Sequence, residues 1–221
     1  MQANKLVIFD FCGTLISFQT ADRYVDYCLR CHPLPSAHWR RCLLRLLEKT
    51  KVFALLAHIK PGNNWHKRMV LRQLKGYGQS LCEQLAADYL HDELLPNVVQ
   101  PVLEIMRQHL ADGDNVCILS GGYDIYLRCF ADCFKVPLVV GSAIRFDNEI
   151  CTGKLYGKDC MGINKIAFYN ELPYDKSDVT FYTDSPTDIP LLKMVTHPIV
   201  VSHKYSQQWA RQLGFREIIW N

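Results

Sequence analysis

Five short apolar runs constrain this chain more than any other feature: Lys5 to Phe9, Val116 to Leu119, Pro137 to Val140, Val179 to Tyr182 and Pro198 to Val201. Each is continuous rather than alternating, as in strands of a parallel sheet covered on both faces. Helical spacing lies between them. Val98, Val102, Ile105 and Met106 recur before the second run, and Ile189, Leu192 and Met194 follow the fourth. Strands alternating with helices predict an α/β fold with a doubly wound parallel sheet, whose ligands sit beyond the carboxyl ends of the strands.

The segment between the first two strands reads differently. Trp39, Cys42, Leu43, Leu46 and Leu47 make one helical stripe, with Arg40, Arg41, Arg45 and Lys49 largely off it. Pro61-Gly62-Asn63-Asn64 breaks that pattern before a second helix over Trp65 to Lys75, and Leu81 to Leu90 gives a further one. So long a connection is not a strand-to-helix loop. Residues 16–97 are therefore expected to form a small helical-bundle cap, inserted into a core of residues 1–15 and 98–221. Charge gathers in the insert: Ser36 to Lys75 holds 10 basic residues against one acidic, although the whole chain is only +3. Such a run suits an anionic partner or a solvated helix face.

Other classes are excluded more simply. With 49% hydrophobic and 21% charged residues the chain is composed as a packed globular protein. No apolar run reaches the ~18 residues of a membrane span. No specific nucleic-acid motif is present, and no export signal is read at the amino end. The ten cysteines are then expected to be reduced thiols of a cytoplasmic protein. Cys28-Leu29-Arg30-Cys31-His32 has haem-attachment spacing, but it lies in the helical insert with no second pair, so its thiols are expected to be structural or incidental. Cys129 and Cys133 share a helix face and are expected in the core.

Chemistry concentrates at the ends of three strands. Leu6-Val7-Ile8-Phe9-Asp10-Phe11-Cys12-Gly13-Thr14-Leu15 delivers a carboxylate at a strand end and follows it with a Gly-Thr turn. The second run leads into Ser120-Gly121-Gly122, a hydroxyl and backbone amides suited to phosphate oxygens. Lys165, among Ile163, Ile166 and Ala167, places an ammonium on a later helix. The fourth run ends in Thr183-Asp184-Ser185-Pro186-Thr187-Asp188, two carboxylates suited to a hard cation.

These four motifs, in this order, resemble the haloacid dehalogenase superfamily in its phosphoserine-phosphatase-like branch. The resemblance implies a phosphatase-like enzyme acting on a small phosphorylated metabolite, such as a sugar or polyol phosphate. Asp10 would attack phosphorus and become an aspartyl phosphate. Asp10, the Cys12 carbonyl and Asp184 would hold Mg²⁺, and Asp188 would hold Lys165 or a metal-bound water. Ser120 and the Gly121 amide would grip the phosphoryl oxygens, with Thr14 and Gly122 nearby. Gln19 and Arg68 are the positions matching the branch's substrate-binding cap residues. A phosphotransferase using the same covalent step, or a catalytically quiet binder of phosphate esters or polyanions, is the alternative.

One position departs from the pattern. Family phosphatases carry a second aspartate two residues after the nucleophile, which protonates the leaving oxygen and then activates water. Here it is Cys12. A thiol of pKa near ~8.5 is a weaker acid than a carboxyl near ~3.9. The acid must come from elsewhere, with His32, His38, His58 and His66 available in the insert, or the leaving group must need little protonation.

Overall fold

Lys5 leads into β1 (Leu6–Phe9), whose four side chains are wholly buried in the computed structural model of the protein. The structure describes residues 5–35, 40, 46–47 and 64–221. The expected stripe at Trp39, Cys42 and Leu43, the Pro61-Gly62-Asn63 break, and His38 and His58 lie outside the described residues. The described helical part of the insert comprises α1 (Thr20–Cys31), α2 (Trp65–Leu71) and α3 (Gln79–Tyr89). The chain then runs through α4 (Gln100–Ala111), β2 (Asn115–Tyr123), α5 (Asp124–Phe134) and β3 (Leu138–Ser142). A hairpin of β4 (Ile144–Asp147) and β5 (Ile150–Leu155) precedes α6 (Lys165–Glu171) and β6 (Val179–Thr183). Last come α7 (Ile189–Leu192), β7 (His197–His203), α8 (Gln208–Gln212) and β8 (Arg216–Trp220).

Six strands form one parallel sheet in the order β3-β2-β1-β6-β7-β8. Side chains alternate across it, and the two faces bury against different helices. Val7, Phe9, Val116 and Ile118 pack with residues of α1, α3, α4 and α5, whereas Leu6, Ile8, Cys117 and Leu119 pack with Tyr169, Leu191, Leu192 and Ala210. Burial on both sides explains why these strands read as continuous apolar runs. Full burial of each such side chain stabilises by about 1.5–3 kcal/mol relative to exposure. The insert shares this core: Tyr24 and Tyr89 meet Tyr126 of α5 at ring distances of 5.2 and 5.6 Å.

Three elements differ from the reading of the sequence. β2 does not stop at Leu119 but continues through Ser120, Gly121 and Gly122, and its pairing with β3 slips between Leu119 and Tyr123. The β4–β5 hairpin turns at Asn148 and Glu149, both at positive φ (49° and 62°), a geometry whose usual mark is Asn-Gly. The β5 side of this hairpin binds the insert, with Cys151 N–H donating to the Tyr77 carbonyl at 2.8 Å. Edge strand β8 is only half-buried, so no continuous apolar run announces it. Of the two cysteines expected in the core, Cys129 is half-buried and packs against it, while Cys133 is exposed, because α5 turns Tyr126, Leu127, Phe130 and Ala131 inward. All nine described cysteines are free thiols, and among the described residues no helix is long and apolar enough to cross a membrane.

Candidate active site

Strand order creates the site. The chain builds outward from β1 to β2 and β3, then returns to add β6 on the other side of β1, so the crevice opens at the carboxyl end of β1. Phe9 stands level with Tyr182 and with Ile118. Asp10 therefore leaves the sheet beside Thr183 and Leu119, with Asp184 and Ser120 one step beyond. A cavity of about 160 Å³ lies there, walled by Asp10, Cys12, Ser120, Gly121, Lys165 and Asp188 from the sheet side. Gln19, Ala21, Asp22, Asn64, His66 and Lys67 wall it from the insert.

Its electrostatics are unbalanced. The buried Lys165 ammonium lies 3.1 Å from Asp10 Oδ1 and 2.6 Å from Asp188 Oδ2. Burial would lower the pKa of this lysine, but the two carboxylates outweigh it and push it up. Asp10 Oδ1 also accepts the Phe11 N–H at 2.7 Å. Asp188 Oδ2 accepts the Thr183 hydroxyl at 2.8 Å, while its Oδ1 is buried without a hydrogen-bond partner. Burial raises the Asp188 carboxyl despite Lys165.

Asp184, at the end of β6, is partly exposed and is not among the residues that line the cavity. Its backbone N–H donates to Thr14 Oγ1 at 3.0 Å, and the Thr14 hydroxyl donates back to its Oδ1 at 3.2 Å. Burial first, and the charge of Asp10 second, push the Asp184 carboxyl up to about 7. Gly13 has φ +77°, and a Cβ there would sit 2.1 Å from Asp184 Oδ2. Both its backbone conformation and this approach require glycine.

Three carboxylates thus face one lysine, and a buried carboxylate oxygen is left over. That arrangement fits a hard divalent cation with oxygen ligands. Among the described residues no three Asp, Glu, His or Cys side chains gather as a metal-binding group. The implied set needs only two carboxylates, Asp10 and Asp184, with the Cys12 carbonyl.

The remaining expected residues fall into two groups. Cys12, Ser120, Gly121 and Gln19 line the cavity with Asp10, Lys165 and Asp188. Thr14, Gly122 and Arg68 do not. Thr14 serves Asp184, and the Gly122 N–H donates to Ser120 Oγ at 3.3 Å. Arg68 is exposed because α2 turns Lys67, Val70 and Leu71 inward. Lys67, passed over in the sequence, is the lysine or arginine that reaches the cavity from the described residues of the insert. Its spacing from Val70 and Leu71 puts it on the buried stripe, and that is the signal that could have found it.

Cys12 is not equipped to replace a carboxyl. Burial and the Asp10 charge raise its pKa, so the thiol holds its proton. Its Sγ lies 3.0 Å from Thr20 Oγ1, which in turn lies 2.7 Å from the Tyr126 hydroxyl. A second pair, unrelated to Cys12, crosses the insert side: His66 Nδ1 is 3.5 Å from Asp22 Oδ2.

Known proteins align with this chain. The model of the haloacid dehalogenase-like hydrolase family matches residues 7–193. A protein of unknown function from Bordetella pertussis Tohama I has the same fold at TM-score 0.80 and 20% identity, over 98% of this chain and 99% of that one. A substrate-bound phosphoserine phosphatase matches at TM-score 0.63 and 16% identity, over 99% of this chain and 94% of that one. At these identities the likeness speaks for the fold. Histidinol-phosphatase of Neisseria meningitidis serogroup C (strain 8013) is 19% identical over 140 residues, 60% of this chain and 63% of that protein. The chain spans about 60% of the length of the curated relatives it matches.

Proposed function

Because the chain belongs to the haloacid dehalogenase-like hydrolase family, we propose that it is a Mg²⁺-dependent phosphatase of a small phosphorylated metabolite, working through an aspartyl phosphate on Asp10. One observation carries the reading: Asp10 and Asp188 share Lys165 at a sheet-end cavity, with the Asp188 Oδ1 atom unpaired. We assign residues 16–97 as the cap over this cavity. A volume near 160 Å³ and a lining of Gln19, Asp22, Asn64 and His66 favour a small hydroxylated substrate such as a sugar or polyol phosphate. The test is phosphate release from a panel of such esters with and without Mg²⁺, with the phosphorylated protein sought by intact mass. No release and no phosphoprotein across the panel would overturn it.

Each residue then has a task. Asp10 Oδ attacks phosphorus in line with the leaving oxygen, while Lys165 and the donors at Ser120 and Gly121 offset the charge on the equatorial oxygens. Asp10, Asp184 and the Cys12 carbonyl would hold Mg²⁺, which when bound supplies positive charge against the repulsion between carboxylate and phosphate. Asp188 keeps Lys165 charged and aimed. Water then attacks the aspartyl phosphate and frees Asp10.

The proton for the leaving oxygen falls to His66, whose Nδ1 faces Asp22 and whose ring lines the cavity. Positioned acids are worth ~10²–10⁴-fold when the leaving group is a poor one. His66→Gln is therefore expected to slow alkyl phosphate hydrolysis by about 10²-fold while barely changing that of p-nitrophenyl phosphate, whose phenolate leaves unprotonated. Equal losses on both substrates would remove His66 from the role.

Mg²⁺ binding should depend on pH through Asp184. Its folded pKa, about 7, is raised above the ordinary carboxyl value, so the metal-free fold keeps a proton that the unfolded chain releases. Stability of the metal-free protein should consequently fall as pH rises from ~4 through 7. A cation must displace that proton, so its affinity should weaken up to ~10-fold per pH unit below 7. Melting scans are expected to show Mg²⁺ raising Tm more at pH 8 than at pH 5.5, and Asp184→Ala to erase the difference. An equal Mg²⁺ effect at both pH values would place the metal elsewhere.

A further inference from the structure

Helix α2 sends one side chain from the insert into the wall of the cavity. Asn64 caps the helix by accepting the Lys67 N–H at 3.0 Å, and Lys67 itself is 4% exposed. Its Nζ donates to the Gly121 carbonyl at 2.5 Å, to Ser142 Oγ at 2.8 Å and to Asp159 Oδ1 at 2.5 Å. An ammonium has three protons, and these acceptors use all of them. Although Lys67 lines the cavity, it has no proton left to give a ligand.

What it holds gives it a use. The Gly121 carbonyl and the Gly122 N–H belong to one planar peptide, and that N–H donates to Ser120 Oγ at 3.3 Å. This peptide lies where the β2–β3 pairing slips and both flanking residues are glycine, so the backbone ladder does not fix it; from β3 its carbonyl accepts the Ser142 hydroxyl at 3.3 Å, longer than its bond from Lys67. We propose that Lys67 is a positioning residue: from the inserted helix it sets the Gly121–Gly122 peptide and, through it, the Ser120 hydroxyl. The phosphate grip is thereby tied to the seating of α2 on the core. The inference rests on the reading of Ser120 and Gly121 as phosphate-gripping groups.

Lys67 also neutralises Asp159, which is 3% exposed and has a second oxygen without a hydrogen-bond partner. Lys67→Met alone would strand that charge and destabilise the fold. The informative variant is therefore Lys67→Met/Asp159→Asn, which removes both charges. Its Tm, its kcat and KM on p-nitrophenyl phosphate, its affinity for inorganic phosphate and its Gly122 amide resonance should be compared with those of the wild type. The double variant is expected to regain most of the Tm lost by the single one. Its kcat/KM should stay at least 10-fold low, its phosphate affinity reduced, and its Gly122 resonance displaced. Recovery of kcat/KM together with Tm, or an unmoved Gly122 amide, overturns the proposal in favour of a purely structural ion pair.

Lys67→Arg covers the case of a double variant that does not fold. It keeps a cation opposite Asp159 but replaces a point charge with a planar fork, so the same Gly122 displacement and loss of kcat/KM are expected. Wild-type values for both would overturn the proposal. A wild-type protein that neither hydrolyses p-nitrophenyl phosphate nor binds phosphate sinks the phosphatase reading instead, and the Gly122 resonance still decides the positioning role.

Discussion

Asp10→Asn is expected to lower phosphate release by on the order of 10⁴-fold or more, the scale on which loss of a nucleophile acts, while leaving the fold intact. A carboxamide can accept the Phe11 N–H as Asp10 does, but it is a poor nucleophile toward phosphorus. The structural cost is small because Lys165 keeps Asp188 at 2.6 Å. Charge removal even relieves strain elsewhere, since Asp10 is the second cause, after burial, of the raised Asp184 carboxyl. Tm of the metal-free variant should therefore equal or exceed that of the wild type at neutral pH. No phosphoprotein should accumulate in a quenched reaction. A folded Asp10→Asn protein with near wild-type turnover would end the aspartyl-phosphate mechanism, and a collapsed one would say that Asp10 matters first to the fold.

Much of this site was legible because strand ends are legible. A parallel strand buried on both faces must be continuously apolar, so Asp10 and Asp184 stand out as the first charges after such runs. Gly13 was readable too, and the approach of Asp184 Oδ2 gives the reason for it. Residues whose role depends on which way a helix faces were not. Arg68 and Lys67 are neighbours with the same charge, and only the packing of Val70 and Leu71 decides that Lys67 enters and Arg68 stays outside. The resemblance places Thr14 near the phosphate-gripping groups, whereas here it serves Asp184. Its partner 170 positions away, Asp184, becomes visible only when β1 and β6 are paired. The same holds for the His66–Asp22 pair, which joins two helices of the insert. The β4–β5 hairpin escaped because its turn uses Asn148-Glu149, where the residue pair gives no glycine signal.

If the residue at position 12 in this family supplies the leaving oxygen's proton, Cys12→Asp is expected to raise the rate on alkyl phosphates by ~10²-fold or more, the usual worth of a positioned general acid. The surroundings are ready for a carboxyl. Thr20 Oγ1 already lies 3.0 Å from the sulfur and is itself joined to the Tyr126 hydroxyl at 2.7 Å. Thr20 can therefore hydrogen-bond a carboxyl at position 12 as it does the thiol. The burial and the Asp10 charge that raise the thiol's pKa would raise a carboxyl's as well, keeping it protonated when the leaving oxygen needs its proton. Little gain is expected on p-nitrophenyl phosphate, whose leaving group needs no acid. The decisive measurement is the double variant Cys12→Asp/His66→Gln. If His66 is the present acid, its removal should cost about 10²-fold on alkyl phosphates in the wild type and far less once the introduced carboxyl has taken over, a non-additivity that two independent sites would not show. Full additivity would mean that His66 is not the acid the new carboxyl replaces, and no gain from Cys12→Asp in a folded variant that still binds Mg²⁺, with no loss from His66→Gln, would mean that the reaction uses no protein acid and that its natural substrate carries a leaving group able to depart as an anion.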